Sequence, residues 1–348
     1  MNECQQCGRD YEAKSVNHKF CSRQCQLDNR SGKPAEQSVR RAETGFSWEP
    51  PRPAAVWNVK AEKRAKDKFR QRTVILPDMQ IGYRRLPDGT IDPFHDEEAI
   101  SVALAIVEEL RPQHTAIIGD FLDLAPFGKY RQEPGFADTT NLALQFGSIL
   151  LAEVAALSGR TTLMAGNHDA RLENYILDNA LAAAGLRVPG TDWPVLSVPN
   201  LLRVDDYGVE YVEAYPAGEL ALAPGIIAIH GSVTTGGGQS TAAKIVASEK
   251  RSVIFGHVHH REYHASTMPW GEIFAASPGC LCRTDGAVPS YKSSVQLKTG
   301  KPWVVQENWQ QGIGVLTEYA DGGIEYQNVP IQGGVAYFEG KRYALHQT

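Results

Sequence analysis

Five short motifs with metal-binding residue types occur along the chain, and each follows a short apolar run. They contribute carboxylate, amide and imidazole groups, which are oxygen and nitrogen donors for divalent cations. Two cations held close together need a shared anionic ligand, and they can clamp both oxygens of a displacement at phosphorus. The set therefore predicts a two-metal site that cleaves phosphoesters. The motifs are Asp78-Met79-Gln80, Gly119-Asp120-Phe121-Leu122-Asp123, Gly166-Asn167-His168-Asp169, His230-Gly231 and Gly256-His257-Val258-His259.

The apolar runs before the motifs have the length of buried strands, and helix signals alternate with them. Active sites of open α/β sheets are built just after strands. A later pair of alternating segments around Ala320-Asp321-Gly322 predicts a β-hairpin. We therefore expect an α/β fold with an antiparallel hairpin near its end. The expected strands are Val74–Leu76, Ala116–Ile118, Thr162–Met164, Ile226–Ile229, Val253–Phe255, 312–319 and 323–331, and the expected helices are 96–110, 139–157, 170–183 and 240–250.

The motif series resembles the calcineurin-like metallophosphoesterases, a superfamily of phosphatases, phosphodiesterases and nucleases. The resemblance spans residues 73–335 and implies a four-layer α/β/β/α sandwich with two mixed sheets. It also implies two bound ions that share Asp120 as a bridging ligand. One ion would be held by Asp78, Gln80, Asp120 and His259, and the other by Asp120, Asn167, His230 and His257.

The same resemblance implies roles for residues that are not ligands. His168 would face the phosphate and its leaving group as a general acid or charge stabiliser. Asp169 would orient His168 or lie behind it, and Arg171 would grip phosphate oxygens or else face solvent on a helix. Metal coordination lowers the pKa of water, so a metal-activated hydroxide is the expected nucleophile. The mixed oxygen and nitrogen ligands favour Mn²⁺, with Fe, Zn²⁺ or Mg²⁺ as alternatives.

The first motif departs from the family pattern at its third position. That position is usually His, whereas this chain has Gln80. A neutral amide oxygen can ligate a metal but should hold it more weakly than imidazole does. Some phage-type members carry Asp-x-Gln, so the resemblance favours an active enzyme and suggests a phage or prophage origin.

Four cysteines near the N-terminus have the spacing of a structural zinc site. They form two close pairs, and so small a segment needs a metal to offset its chain entropy. The pattern resembles small zinc-ribbon or treble-clef fingers, which bind nucleic acid in some proteins and proteins in others. We expect one structural Zn²⁺ on Cys4, Cys7, Cys21 and Cys25.

Composition and charge bound the remaining organisation. The 348 residues carry a net charge of −5, with 42% hydrophobic residues, as in ordinary globular proteins. The first 72 residues hold 16 Lys/Arg against 9 Asp/Glu, which suits a polyanion or simply a solvated arm. We expect a cytoplasmic protein without a membrane span, because the N-terminus lacks a secretory signal pattern and we find no sufficiently long apolar stretch. The expected divisions are a finger (1–30), a linker with a basic segment (31–72), the catalytic domain (73–335) and a tail (336–348).

Together these features predict a phosphodiesterase or nuclease that acts on nucleic acid. One alternative is a small-molecule phosphatase or nucleotide phosphodiesterase whose finger binds a partner. A second is a binding module that has lost catalysis through Gln80. Four late aromatic residues could stack on bases or simply pack, and Cys280 and Cys282 are expected to be buried thiols. The aromatic residues are Trp303, Trp309, Tyr319 and Tyr326.

Overall fold

The structure, a computed structural model, divides the chain into two compact units, Met1–Lys63 and Arg64–Thr348. Residues 60–68 of the expected basic segment (60–72) lie outside the described residues, as does the linker before it apart from Gly32, whereas residues 69–72 are described. The described residues are 1–12, 19–30, 32, 69–129, 132–232, 240–290, 292, 294–296, 298–303 and 305–345.

The described part of the N-terminal unit contains a short hairpin followed by one helix. Strands β1 (Asn2–Glu3) and β2 (Asp10–Tyr11) pair antiparallel, and helix α1 spans Arg23–Arg30. Cys4 and Cys25 are buried. The four cysteines could hold a metal ion at the centre of the described part of this unit.

The larger unit is an α/β structure with two large mixed sheets. Its helices are α2 (Glu97–Leu110), α3 (Thr140–Leu157), α4 (Ala170–Asn179), α5 (Val198–Leu202) and α6 (Thr241–Ser248). Its strands are β3 (Phe69–Leu76), β4 (Tyr83–Arg85), β5 (Ile91–Pro93), β6 (His114–Ile117), β7 (Thr161–Met164), β8 (Glu210–Val212), β9 (Leu220–Ala223), β10 (Ile226–Ile229), β11 (Ser252–Phe255), β12 (Arg261–Met268), β13 (Gly271–Pro278), β14 (Ser294–Val295), β15 (Pro302–Trp303), β16 (Gly312–Tyr319), β17 (Ile324–Gln332), β18 (Val335–Phe338) and β19 (Lys341–Ala344).

The strand order is β19-β18-β17-β16-β3-β6-β7-β8 in the first sheet and β12-β13-β11-β10-β9 in the second. Strands β3, β6, β7 and β8 run parallel, and so do β10, β11 and β13. Parallel strands bring their carboxyl ends to one edge of a sheet. All five motifs follow strands of these parallel sets, so all five lie at such edges.

Alternation along β3 shows how the layers form. Val74 and Leu76 join the core beneath helices α2 and α3, whereas Ile75 joins a separate core with Ile226 and Ile254 of the second sheet. Successive strand residues point to opposite faces, so one strand serves both cores. A third core lies between the second sheet and α6. This arrangement confirms the expected α/β/β/α order of layers.

Local signals account for most element boundaries. Helix α2 begins after Asp96, whose side chain accepts the Ala99 N–H at 3.0 Å, and ends before Pro112. The expected helix over 170–183 is instead α4 followed by a separate 3₁₀ turn at Leu181–Ala183. The hairpin β16–β17 is confirmed, with Gly312 paired to Pro330 at one end.

Two sequence expectations are corrected at the ends of the domain. Residues 336–344, expected as part of a tail, contribute to strands β18 and β19 of the large sheet. Strand β3 begins at Phe69, before the expected boundary at residue 73.

Among the described residues, helix α3 is long and apolar enough to cross a membrane, although the sequence analysis expects no membrane span. Leu150, Leu151 and Val154 of this helix pack in the core.

Candidate metal centre

The ligand candidates lie directly after five strands, and the backbone there is unusual. Five of the seven have positive φ angles, between 34° at Asp78 and 71° at His257. Such angles are uncommon for residues other than glycine and cost conformational energy. The sharp turns direct the side chains into one cluster. The five are Asp78, Gln80, Asp120, His257 and His259.

One half of the cluster contains Asp120, Asn167, His230 and His257. The Asn167 Oδ1 lies 2.7 Å from His257 Nδ1 and 3.1 Å from His230 Nε2. His230 Nε2 lies 3.3 Å from Asp120 Oδ1. His230 Nδ1 is 2.9 Å from the Ile118 carbonyl, to which it can donate, and this leaves Nε2 as the ligand atom. These side chains match the expected second ligand set, and Asp120, His230 and His257 are close enough to share one ion.

The other half contains Asp78, Gln80, Asp120 and His259. His259 Nε2 lies 3.2 Å from Asp78 Oδ1 and 3.2 Å from the Gln80 amide nitrogen. Asp78, Asp120 and His259 are close enough to share a second ion. The Gln80 Oε1 atom is buried without a hydrogen-bond partner. Half a turn of this amide would present Oε1 to the cluster, where a cation would satisfy it.

The residues present therefore fit two divalent ions, with Asp120 common to both ligand groups. The donor set combines carboxylate, amide and imidazole, as expected for Mn²⁺, Fe or Zn²⁺. Asp78 and Asp120 are 0% and 1% exposed, and buried carboxylates are normally paired or bound to metal. Asn167 and His257 are partly exposed, which opens the cluster to solvent on their side.

Glycines allow the motif turns to approach one another. A Cβ added at Gly119 would lie 2.3 Å from His230 Nδ1, and one added at Gly166 would lie 2.1 Å from Asp120 Oδ1. Both distances are far below any ordinary contact. In these two motifs the glycine before the ligand is thus required because a ligand from another motif packs against it.

Charge is strongly coupled within the cluster. Burial alone would raise the pKa of the Asp120 carboxyl, but the charges of His230 and His168 hold it below its ordinary value. Burial acts against protonation of His230, yet Asp120 raises the pKa of this ring to about 9. Burial and the charge of His230 lower the pKa of His257 to about 4. Without metal, Asp120 and His230 therefore form a buried ion pair.

His168 lies beside the bridging carboxylate and is held by two neighbours. Its Nδ1 is 3.1 Å from Asp123 Oδ2, and its Nε2 is 3.1 Å from an Arg171 amino group. Its backbone N–H donates to Asp120 Oδ1 at 2.8 Å. If Nδ1 donates to Asp123, Nε2 accepts from Arg171. Asp123 completes this arrangement, although the sequence analysis predicts no role for it.

The structure distinguishes the alternatives left open for Asp169 and Arg171. The Asp169 carboxylate accepts the backbone N–H groups of Leu122 and Gly166, at 2.9 and 2.8 Å, and so braces two motif loops from behind. Burial and the charge of Asp120 raise its pKa to about 6. Arg171 is 9% exposed and donates to the Asp123 carbonyl at 2.8 Å, so the expectation of a solvent-facing residue is wrong.

Cys280 and Cys282 are buried, as expected. The Cys282 sulfur lies 3.9 Å from His259 Nδ1, so a thiol occupies the side of this ring that faces away from Asp78. His95 is also buried, stacked on Phe146 at 4.7 Å between ring centroids, and lies outside the ligand cluster.

The four N-terminal cysteines form a separate candidate site. Their sulfur atoms all lie within 4.8 Å of one another, and the Cys21 sulfur is 3.5 Å from that of Cys7 and 3.6 Å from that of Cys25. Burial would raise the pKa of the Cys4 thiol, but backbone amides, including that of Cys21, lower it to about 6. A thiolate set of this size suits tetrahedral Zn²⁺.

Comparisons with solved structures yield remote matches to phosphoesterases. A phosphoesterase from E. coli, YfcE, matches at 14% identity and a TM-score of 0.31, over 74% of this chain and 98% of its own. A purple acid phosphatase from yellow lupin seeds matches at 14% identity and a TM-score of 0.35, over 74% of this chain and 51% of its own. No family model and no curated protein matches the sequence. The chain's own sheets and helices define its fold, independently of these likenesses.

Proposed function

We propose that this chain is a metal-dependent phosphoester hydrolase of the calcineurin-like type, and that it acts on phosphodiesters of nucleic acid. The convergence of two ligand sets on one buried carboxylate, Asp120, carries the proposal. Gln80 supports it, because its buried Oε1 atom has no hydrogen-bond partner among the described residues. Its amide can complete the first set where the family usually has imidazole.

Two divalent ions at this cluster would activate a bound water and neutralise charge that develops on phosphate oxygens. The protein supplies the remaining components. Asp78, Gln80 and His259 hold one end of the cluster, and Asn167, His230 and His257 hold the other. Since the ligands follow strands of both sheets, the sandwich fixes the spacing of the ions.

We propose that His168 acts on the substrate. It lies beside Asp120, with its Nε2 atom 3.8 Å from Asp120 Oδ2. Asp123 fixes the orientation of the ring, and Arg171 holds positive charge next to it. We propose that His168 and Arg171 stabilise negative charge on the phosphoryl group, and that His168 protonates the leaving oxygen when it carries a proton.

Nucleic acid is the proposed substrate because of the N-terminal unit. Four clustered thiolates form a zinc finger in this proposal, and the first 72 residues are basic by 16 Lys/Arg against 9 Asp/Glu. Both features suit a polyanion. All six cysteines are unpaired, in keeping with the reducing cytoplasm that we propose for the protein.

The test is hydrolysis by chelator-stripped protein with Mn²⁺ restored. The substrates are bis(4-nitrophenyl) phosphate, 4-nitrophenyl phosphate, and single- and double-stranded DNA. We expect cleavage of the diester and of DNA, with loss of both in His168→Ala. His264→Ala is the matched control, because His264 is an exposed residue on β12. Turnover of the monoester alone would identify a phosphatase, and no turnover at all would indicate a binding module.

A Cys7→Ser variant tests the nucleic-acid part separately. If the finger holds the polyanion, this variant should lose its zinc and cleave DNA more slowly, while bis(4-nitrophenyl) phosphate is cleaved at the wild-type rate. If the variant cleaves both substrates at the wild-type rate, or cleaves both more slowly to the same extent, a role of the finger in binding DNA is contradicted.

A further inference from the structure

Two aromatic side chains flank the candidate metal centre at its two ends. The Trp309 ring contacts His259, with 4.3 Å between ring centroids and an angle of 75° between the planes. The Tyr215 ring contacts His230, with 5.8 Å between centroids and an angle of 64°. His259 belongs to the Asp78 group of ligands and His230 to the group with His257. Each aromatic residue thus lies against a different metal position.

Both aromatic rings are partly exposed, whereas the histidines that they contact are buried. His259 is 5% exposed and His230 is 2% exposed. Each aromatic ring therefore contacts one ligand and retains some exposed surface of its own.

Trp309 is also fixed in place. The next residue, Gln310, donates its backbone N–H to the His259 carbonyl at 2.9 Å. The indole packs against a buried cluster that includes Phe94 and Cys282. A ring anchored in this way loses little freedom when a ligand stacks on it, so more of the stacking energy appears as affinity.

Tyr215 lies at the other end of the cluster, against His230, and its ring is partly exposed. An aromatic face beside a phosphate position is suited to the base of a nucleotide.

We propose that Trp309 and Tyr215 are specificity residues that stack on nucleobases on either side of the scissile phosphate. This inference rests on the proposed hydrolytic function and narrows its substrate to diesters that carry a nucleoside. It assigns base stacking to Trp309 and not to Trp303, which is exposed on β15.

The test compares two substrates with the same leaving group. Thymidine 5′-(4-nitrophenyl phosphate) carries a base, and methyl 4-nitrophenyl phosphate does not. The wild-type protein should favour the nucleoside substrate in kcat/KM. The double variant Trp309→Ala/Tyr215→Ala should lose about tenfold of this preference, as expected when base stacking is removed. The double variant removes the effect whichever ring the thymine contacts.

Matched controls separate stacking from damage to the site. Trp303→Ala/Tyr337→Ala removes two exposed aromatic residues elsewhere and should leave the preference unchanged. Trp309→Phe/Tyr215→Phe keeps aromatic rings and should restore most of it. The metal content of every variant is measured by mass spectrometry. Loss of metal from the alanine variant would show that the two rings support the ligands, and would overturn the inference.

The outcomes distinguish this inference from the proposed function. If the wild type cleaves both substrates and the alanine variant keeps its preference within twofold, the stacking role is wrong while the hydrolytic function stands. If the wild type cleaves neither substrate, the hydrolytic function fails and the inference fails with it.

Discussion

Substitution of Gly166 by alanine should disable both metal positions at once. Gly166 precedes the ligand Asn167 and packs against Asp120. An added Cβ would lie 2.1 Å from Asp120 Oδ1 and 2.3 Å from the Asp120 backbone nitrogen. Gly166 does not have a positive φ angle. Alanine is therefore acceptable to the backbone there, and the effect comes from space alone.

The expected loss of activity follows from how far the atoms around the added Cβ must move to restore an ordinary contact. Ordinary contacts of a Cβ begin near 3.4 Å, so Asp120 or the Gly166 loop must move by about 1 Å, a misplacement that costs roughly 10²-fold in rate. Asp120 is common to both ligand groups. Both ions should therefore bind more weakly, and kcat/KM for bis(4-nitrophenyl) phosphate should fall by at least about 10²-fold.

The assay is isothermal titration of Mn²⁺ into chelator-stripped protein, together with turnover of the diester. Gly322→Ala is the control, because Gly322 has a φ of 87° and open space around it. That variant carries backbone strain without touching the cluster, and should bind two ions normally. If Gly166→Ala binds two ions with wild-type affinity, the loops do not constrain Asp120 and the reasoning is refuted.

Three further predictions concern single side chains. Asp123→Asn should lower kcat by about ten- to a hundredfold through misorientation of His168, while the metal content stays unchanged; an unaltered kcat would exclude this positioning role. Metal affinity at the His230 position should rise about tenfold per pH unit toward pH 9, because the ring, with a pKa of about 9, must lose its proton to bind an ion. Metal titrations at pH 6, 7 and 8 would show the same affinity at each pH if this is incorrect. His95 is buried, and burial lowers its pKa from 6.5 to about 4, so it contributes stability above pH 6.5 that is lost as the pH falls toward 4. His95→Phe should remove this loss, which is about 2 kcal/mol between pH 7.5 and 5, as measured by urea unfolding at both pH values.

Sequence periodicity predicted the strands before the motifs because their environment is simple. Val74, Ile75 and Leu76 are all fully buried, and a short apolar run is sufficient to indicate such a strand. The following motif residues could be located for the same reason, since parallel strands place their ends at one edge. Candidate ligands from five separate motifs were thus found without any knowledge of distances.

The sequence could not show which carboxylate contacts His168. Asp169 is adjacent in the chain, whereas Asp123 is separated from His168 by 45 residues. A turn directs the Asp169 side chain toward backbone amides behind the site, so the neighbour in sequence is not the neighbour in space. The only signal was that Asp123 follows a strand within the same motif as Asp120. Similarly, the burial of Arg171 depends on Asp123, and a helix pattern alone does not reveal this contact.

The position of the candidate ligands on two sheets would give bound metals a structural role as well as a chemical one. Asp78, Asp120 and Asn167 follow strands of the eight-stranded sheet, whereas His230, His257 and His259 follow strands of the five-stranded sheet. The buried Asp120–His230 pair joins these two edges, with 3.3 Å between the ring and the carboxylate. Ions would replace that pair with bonds to both sheets and satisfy Gln80. The positive φ angles at the ligands then have an explanation, since backbone strain persists where the surrounding packing determines it and function requires it.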